Sequence, residues 1–126
     1  MIVAPSRVPL PKSPVPLIRP PQIVNRKEED GYGAVRAIDP QTGDRKLEYK
    51  MTDVTDSGIL TTATDVLFTG GREGYFMAMD ARTGTLLWKA VVGGQVSAGP
   101  MSYSVGGKQY VAIAAGNSLF VYGLRQ

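Results

Sequence analysis

The residue types that most often transfer protons or bind metals in enzymes are absent from this sequence. It contains no histidine and no cysteine, which removes the commonest general base, the commonest metal ligand and all thiolate chemistry. Two aspartates stand out, because Asp39 and Asp80 each begin an Asp-x-x-Thr-Gly element. This spacing favours a turn in which the carboxylate accepts hydrogen bonds from amides two and three residues further on. We therefore predict no catalytic residue and no metal ligand in this chain.

Both aspartates belong to a longer repeat whose copies lie 41 positions apart. The first copy contains Gly33, Ala37, Asp39, Thr42 and Gly43, and the second contains Gly74, Ala78, Asp80, Thr83 and Gly84. A period near forty in strand-like sequence is typical of β-propeller blades. Gly43 and Gly84 are predicted to adopt the positive φ that a bulged hairpin requires. Trp88, which aligns with Leu47, is predicted to dock on a surface of small residues in the neighbouring blade.

Short apolar and alternating stretches around the repeat predict nine strands. The predicted strands are 33–38 and 45–51, then 58–63, 66–70, 74–79 and 85–92, then 96–103, 109–114 and 118–123. Four consecutive strands make one complete antiparallel blade, and the others make a partial blade on each side. The predicted fold is therefore all-β, a partial β-propeller of antiparallel four-stranded blades that amounts to about two blades.

The chain divides by composition into an extended segment, 1–30, and a globular part, 31–126. Seven prolines in the first 21 residues remove backbone donors, so neither a helix nor a central strand is expected there. Residues 1–27 carry five basic side chains and no acid, but the charges are dispersed among the prolines. We predict a solvated extended segment without nucleic-acid binding. The sequence contains no signal peptide pattern and no apolar run long enough to span a membrane.

Several of these motifs resemble a known family. The stretch from Ala78 to Trp88, Ala-x-Asp-x-x-Thr-Gly-x-x-x-Trp, is similar to the tryptophan-docking repeat of the pyrroloquinoline-quinone (PQQ) dehydrogenases. Residues 60–70, 73–75 and 107–116 resemble the closing blades of the methanol- and ethanol-oxidising quinoproteins, and the resemblance spans about 31–125. It implies an eight-bladed periplasmic ring with the quinone on its axis, beside a calcium or lanthanide ion. The catalytic and metal-binding residues of such a ring would come from earlier blades.

The resemblance carries one candidate cofactor site into this chain. In the alcohol-oxidising relatives a Trp-Gly-Gly stretch before the innermost strand faces the cofactor, and here the matching residues are Asp56, Ser57 and Gly58. The replacement of tryptophan by an acid departs from the family pattern. The alternative interpretation of Asp56 and Ser57 is a polar turn that leads into a strand.

Two functions follow as hypotheses. In the first, the chain is the C-terminal propeller segment of a quinoprotein alcohol or sugar dehydrogenase, a structural part of the ring that is inactive alone and binds no PQQ tightly. In the second, it is a non-catalytic propeller module for protein binding or assembly, because the same repeat also builds the outer-membrane assembly lipoprotein. The expected partners are the remaining blades or further copies of the chain, since open sheet edges and faces favour association.

Overall fold

In the computed structural model, residues 32–123 are described and contain nine β-strands and no helix. Alternating and β-branched apolar residues place these segments in sheets. The strands are β1 Gly33–Ile38, β2 Arg45–Met51, β3 Leu60–Thr61, β4 Val66–Gly70, β5 Tyr75–Asp80, β6 Leu86–Val91, β7 Met101–Val105, β8 Lys108–Ala115 and β9 Ser118–Gly123. No helix long enough to cross a membrane is found in this range. The predicted extended segment 1–30 lies outside the described residues.

The strands form three antiparallel sheets in chain order. The first sheet pairs β1 with β2, the second has the order β3-β4-β5-β6, and the third has the order β7-β8-β9. Within each sheet, every strand pairs with its neighbour in sequence, as expected for propeller blades built from short hairpins. The predicted all-β partial propeller, one complete blade between two partial ones, is confirmed.

Two strands differ from their predicted bounds by more than one residue, and both differences occur where the chain passes from one sheet to the next. The innermost strand β3 holds only two residues, and β7 begins at Met101 rather than at position 96. The backbone of 96–98 bonds to the second sheet instead of to β8: Val96 N donates to Gly71 O at 3.1 Å, and Gly58 N donates to Ala98 O at 3.4 Å. Pro100 has no N–H to donate, which delays the start of β7 further.

Two apolar cores lie between the sheets. The core between the first and second sheets consists of Val35, Leu47, Met51, Leu67, Met77 and Met79. The core between the second and third sheets consists of Phe76, Val92, Val96, Val111, Ile113 and Ala115. Alternate residues of β5 therefore serve different cores, with Phe76 facing one sheet and Met77 the other. This two-sided burial explains why the central strand reads as a continuous apolar run.

Both Asp-x-x-Thr-Gly elements form the predicted turn. The Asp39 carboxylate accepts hydrogen bonds from Gln41 N at 2.9 Å and Thr42 N at 3.3 Å. The Asp80 carboxylate accepts equivalent bonds from Arg82 N at 2.8 Å and Thr83 N at 3.0 Å. The glycine that ends each turn has positive φ, 76° at position 43 and 74° at position 84, and each hairpin contains a register shift. The predicted bulged hairpins are confirmed.

The Asp80 turn makes the stability of the second sheet dependent on pH. The amides of Arg82 and Thr83 stabilise the carboxylate and lower the pKa of Asp80 below its ordinary value. A lowered folded-state pKa contributes stability that is present above the unfolded pKa and is lost as the pH falls through the folded value. We expect the midpoint of urea unfolding to move to lower urea concentration when the pH drops below about 4. Asp80→Asn should weaken this loss of stability, because the amide oxygen still accepts both hydrogen bonds but does not titrate.

The matched variant Asp80→Ala removes both acceptors. It is expected to be less stable than Asp80→Asn at neutral pH, which urea titrations at several pH values would measure. If Asp80→Asn kept the full acid dependence of the unmodified chain, the carboxylate of Asp80 would not be its source.

Candidate functional site

The connections between sheets lie at one edge of the array, and the candidate site lies there. The loops that leave β2 and β6 for the next sheet are residues 52–59 and 92–100, and the β4–β5 hairpin turns at the same edge. Asp56, Ser57 and Gly58 precede β3, which is the first strand of the four-stranded sheet. Antiparallel pairing therefore brings these residues to the level of Gly70 and Arg72 at the end of β4.

Ser57 joins three backbone segments. Its hydroxyl oxygen accepts a hydrogen bond from Gly70 N at 3.2 Å. The hydroxyl proton is shared between two carbonyl oxygens, Ala98 O at 3.1 Å and Gly58 O at 3.2 Å. The two serine-to-backbone contacts at Gly70 and Ala98 link the second sheet to the segment that leads into the third. The Ser57 hydroxyl is thus hydrogen-bonded to backbone groups of this chain.

Gly58 lies where two backbones touch. A Cβ atom at position 58 would be 2.6 Å from the Cα of Gly99, a distance that side chains do not occupy. Gly58 and Gly99 are separated by 41 positions, as are Ser57 and Ala98, so equivalent positions of successive repeats contact each other. The glycine at position 58 is required for this close approach of neighbouring sheets.

Asp56 points away from these contacts and forms an ion pair with Arg72. The Asp56 carboxylate and the Arg72 guanidinium are 3.4 Å apart, and both side chains are nearly half exposed. An exposed pair of this kind adds about 0–1 kcal/mol to stability. Arg72 was not predicted as a site residue, because its partner lies sixteen positions earlier and no motif links the two.

Glu73, next to Arg72, is a second residue that sequence reasoning missed. Its carboxylate accepts hydrogen bonds from Thr52 N at 2.7 Å and from Asp53 N at 3.1 Å. It therefore holds the chain that leaves the first sheet against the β4–β5 hairpin of the second. The one sequence feature that points to this role is Glu73-Gly74, an acidic residue placed beside a glycine in the β4–β5 hairpin.

The repeated residues of the predicted docking motif lie on the strands that meet between sheets. Ala37 is directly opposite Leu47 in the first sheet, and Ala78 is directly opposite Trp88 in the second. Leu47 is buried, and a Cβ at Gly84 would be 2.9 Å from its Cγ. The Leu47 side chain thus packs on the turn glycine of the next repeat.

Trp88 has a different environment from Leu47. Its indole meets the ring of Tyr122 edge-on, with centroids 4.9 Å apart, and also the ring of Phe76 at 6.1 Å. It nevertheless remains 39% exposed, whereas Leu47 is 3% exposed. The position that corresponds to Gly84 in the next repeat, 125, lies outside the described residues. Burial of Tyr122 raises the pKa of its hydroxyl.

The sequence and the fold of this chain are similar to those of known proteins. The family described as "Glucose/ethanol/alcohol dehydrogenase, beta-propeller domain" matches residues 29–111. The chain belongs to this PQQ-dependent dehydrogenase family. It is 36% identical over 93 residues to the quinoprotein alcohol dehydrogenase PedE of Pseudomonas putida. The alignment covers 74% of this chain but only 15% of that relative. The predicted family resemblance is confirmed, and the chain spans about 15% of the length of the curated relative.

Solved structures support the same fold. The quinohemoprotein alcohol dehydrogenase of Comamonas testosteroni superposes with a TM-score of 0.65 at 36% identity, covering 68% of this chain and 13% of its own. The BamB structure from Moraxella catarrhalis superposes with a TM-score of 0.51 at 27% identity, covering 73% of this chain and 26% of its own. The matched region is thus a minor part of larger propeller proteins.

The residues of the candidate site do not fit the role of direct ligands to the family's quinone. PQQ carries carboxylates, and the Asp56 carboxylate would repel them. The Ser57 hydroxyl is already engaged with backbone groups, and Gly58 offers only a closely packed backbone. Among residues 32–123 no group of three or more acidic side chains is arranged to hold a metal ion. In this structure Ser57 and Gly58 hold backbone segments together, and Asp56 pairs with Arg72.

Proposed function

We propose that this chain is a structural segment from the C-terminal part of the propeller of a quinoprotein alcohol or sugar dehydrogenase and is inactive by itself. In the complete ring, Asp56, Ser57 and Gly58 border the region of the quinone and its calcium or lanthanide ion without binding either tightly. The docking motif holds successive blades together. The family resemblance favours a periplasmic location for the protein.

One observation carries this proposal. The polar and small residues that occur at equivalent positions of the repeat join neighbouring sheets instead of pointing into a shared pocket. Ser57 contacts Gly70 and Ala98, and Leu47 packs on Gly84. Catalytic propellers need, in addition, a base, metal ligands and a pocket that excludes water. Residues with those roles are expected on other blades of the ring.

The isolated chain is expected neither to bind PQQ tightly nor to oxidise alcohols. The measurement is a titration with PQQ and calcium, repeated with a lanthanide, followed by a dye-linked alcohol oxidation assay. A complete quinoprotein alcohol dehydrogenase assayed in parallel is the positive control. Micromolar binding together with turnover by the isolated chain would contradict the proposal.

A graft tests the structural role directly. Residues 32–123 would replace the matching region of a complete quinoprotein alcohol dehydrogenase. The hybrid is expected to fold as a ring and to take up PQQ more weakly than the parent, because Asp56 replaces the tryptophan of the relatives. Asp56→Trp in the hybrid should restore part of the uptake. A hybrid that cannot fold would remove the structural assignment.

A second candidate function is a non-catalytic module for protein binding or assembly. The likeness to the BamB structure favours it, since a propeller of related fold covers 73% of this chain. Under this alternative the grafted ring would not take up PQQ even with Asp56→Trp, and the isolated chain would bind a protein partner through its sheet faces or edges.

A further inference from the structure

The loop that carries the candidate site residues, 52–59, follows the β4–β5 hairpin of the second sheet along most of its length. The Thr55 hydroxyl donates a hydrogen bond to Gly70 O at 2.8 Å, and the Ser57 hydroxyl accepts one from Gly70 N at 3.2 Å. Both contacts lie in the middle of the loop and are partly buried. The hairpin therefore determines the path of the loop, and the contacts at the start of the loop decide how it enters that path.

The start of the loop is held from two sides. One oxygen of the Glu73 carboxylate accepts hydrogen bonds from two consecutive amides, Thr52 N at 2.7 Å and Asp53 N at 3.1 Å. Consecutive amides that converge on one point form a concave site for an anion, and here the anion is a side chain of the same chain. On the opposite side, a Cβ atom at Gly33 would collide with Asp53 O, so the carbonyl lies directly on the first strand. The backbone at Thr52 and Asp53 is thus fixed between the first and second sheets.

The next junction between sheets is built without such a carboxylate contact. Gly94 lies 41 positions after Asp53, in the loop 92–100. A Cβ atom at Gly94 would be 2.9 Å from Gly116 N, and Gly116 N donates to Gln95 O at 2.9 Å. These contacts are made by backbone atoms alone. Joining two sheets of this repeat therefore does not require an acid, and the acid of the first junction serves the particular loop that it holds.

We propose that Glu73 is a positioning residue for the loop 52–59 and sets where Asp56 lies at the edge of the cofactor region. This inference rests on the proposed function, in which Asp56 borders the quinone. Asp56 follows Asp53 by three residues, a reach of at most about 11 Å, so a shift at Asp53 is passed on to Asp56. The ion pair of Asp56 with Arg72 is nearly half exposed and is too weak to hold the loop alone. Glu73 acts through the loop and not on the cofactor.

Amide hydrogen exchange of the full chain, followed by nuclear magnetic resonance, tests the hold on the loop without any cofactor. Glu73→Ala should accelerate exchange at Thr52 N and Asp53 N by about three- to tenfold, because both amides lose their acceptor. Amides in the strands should keep their rates. Glu73→Gln should restore slow exchange, since its amide oxygen can accept both hydrogen bonds. Glu48→Ala is the matched control, because it removes a glutamate that pairs with arginines on the first sheet, and it should leave the two amides unchanged.

The effect on the cofactor edge is measured in the grafted ring. The gain in PQQ affinity produced by Asp56→Trp should become smaller when Glu73→Ala is also present, because the loop no longer holds position 56 in place. It should be kept with Glu73→Gln. A general structural defect would instead lower the affinity of both rings by the same factor and leave the gain from Asp56→Trp unchanged.

Three results would overturn the proposal: unchanged exchange at Thr52 N and Asp53 N in Glu73→Ala, equal acceleration at every amide, or an undiminished gain from Asp56→Trp. Circular dichroism verifies that each variant is folded, and Glu73→Ser replaces Glu73→Ala if the latter is not. A grafted ring that takes up no PQQ even with Asp56→Trp would overturn the proposed function. The exchange rates of the isolated chain would then still decide whether Glu73 holds the loop.

Discussion

Replacing Phe76 with alanine is expected to lower the free energy of unfolding by about 3–5 kcal/mol. Phe76 is fully buried at the centre of the core between the second and third sheets. Its ring stacks on Phe68 at 5.9 Å and on Tyr122 at 5.8 Å, and meets Trp88 edge-on at 6.1 Å. The variant therefore creates a cavity and also removes the ring that three other aromatic side chains share.

Urea denaturation followed by circular dichroism measures this loss. Phe76→Leu, which keeps most of the volume, should lose clearly less than Phe76→Ala. Leu87→Ala is the matched surface control, because Leu87 lies on the adjacent strand β6 and is largely exposed, and it should change stability by less than about 1 kcal/mol. Equal losses for Phe76→Ala and Leu87→Ala would mean that the third sheet does not pack as described.

The second large effect is expected where Leu47 packs on Gly84. Leu47→Ala should cost about 2–5 kcal/mol, since the side chain is buried between the first and second sheets. Gly84→Ala should cost about 1–2 kcal/mol for the positive φ of 74°, and more for the contact with Leu47. Gly43→Ala has the same backbone strain, with φ of 76°, but its Cβ would have no neighbour within 4 Å.

These variants form a cycle that isolates the contact between sheets. In the Leu47→Ala background, the cost of Gly84→Ala should fall to that of Gly43→Ala, because the shortened side chain leaves room for the new methyl group. The free energies come from urea titrations of the two single variants, the double variant and the Gly43→Ala control. Strict additivity of Leu47→Ala and Gly84→Ala would show that the two residues are not coupled and would remove the docking role of Gly84.

The elements predicted best from the sequence are those whose causes are local. The turns at Asp39 and Asp80 depend on amides two and three residues away, so the repeated Asp-x-x-Thr-Gly motif was enough to predict them. The strand order followed from short hairpins between consecutive strands. The bounds of β3 and β7 were missed because the backbone at Val96 and Ala98 bonds to another sheet, and only the assembled structure brings those partners together.

The site was less predictable for the same reason. Asp56 was identified through the resemblance to the Trp-Gly-Gly stretch of the relatives. Its ion pair with Arg72 and the contacts of Glu73 join residues sixteen or more positions apart, which no local pattern indicates. Burial was also hard to predict. Leu47 and Trp88 occupy equivalent positions, yet Leu47 is buried and Trp88 is 39% exposed.

The position of Trp88 makes it an intrinsic spectroscopic reporter. It is the single tryptophan of the chain, and it lies at the junction of the second and third sheets against Tyr122. Its fluorescence emission responds to separation of those two sheets, whereas the far-ultraviolet signal of the strands responds to the loss of all three. Comparing the two transitions therefore distinguishes an array that dissolves as one cooperative unit from one that opens first at its last sheet.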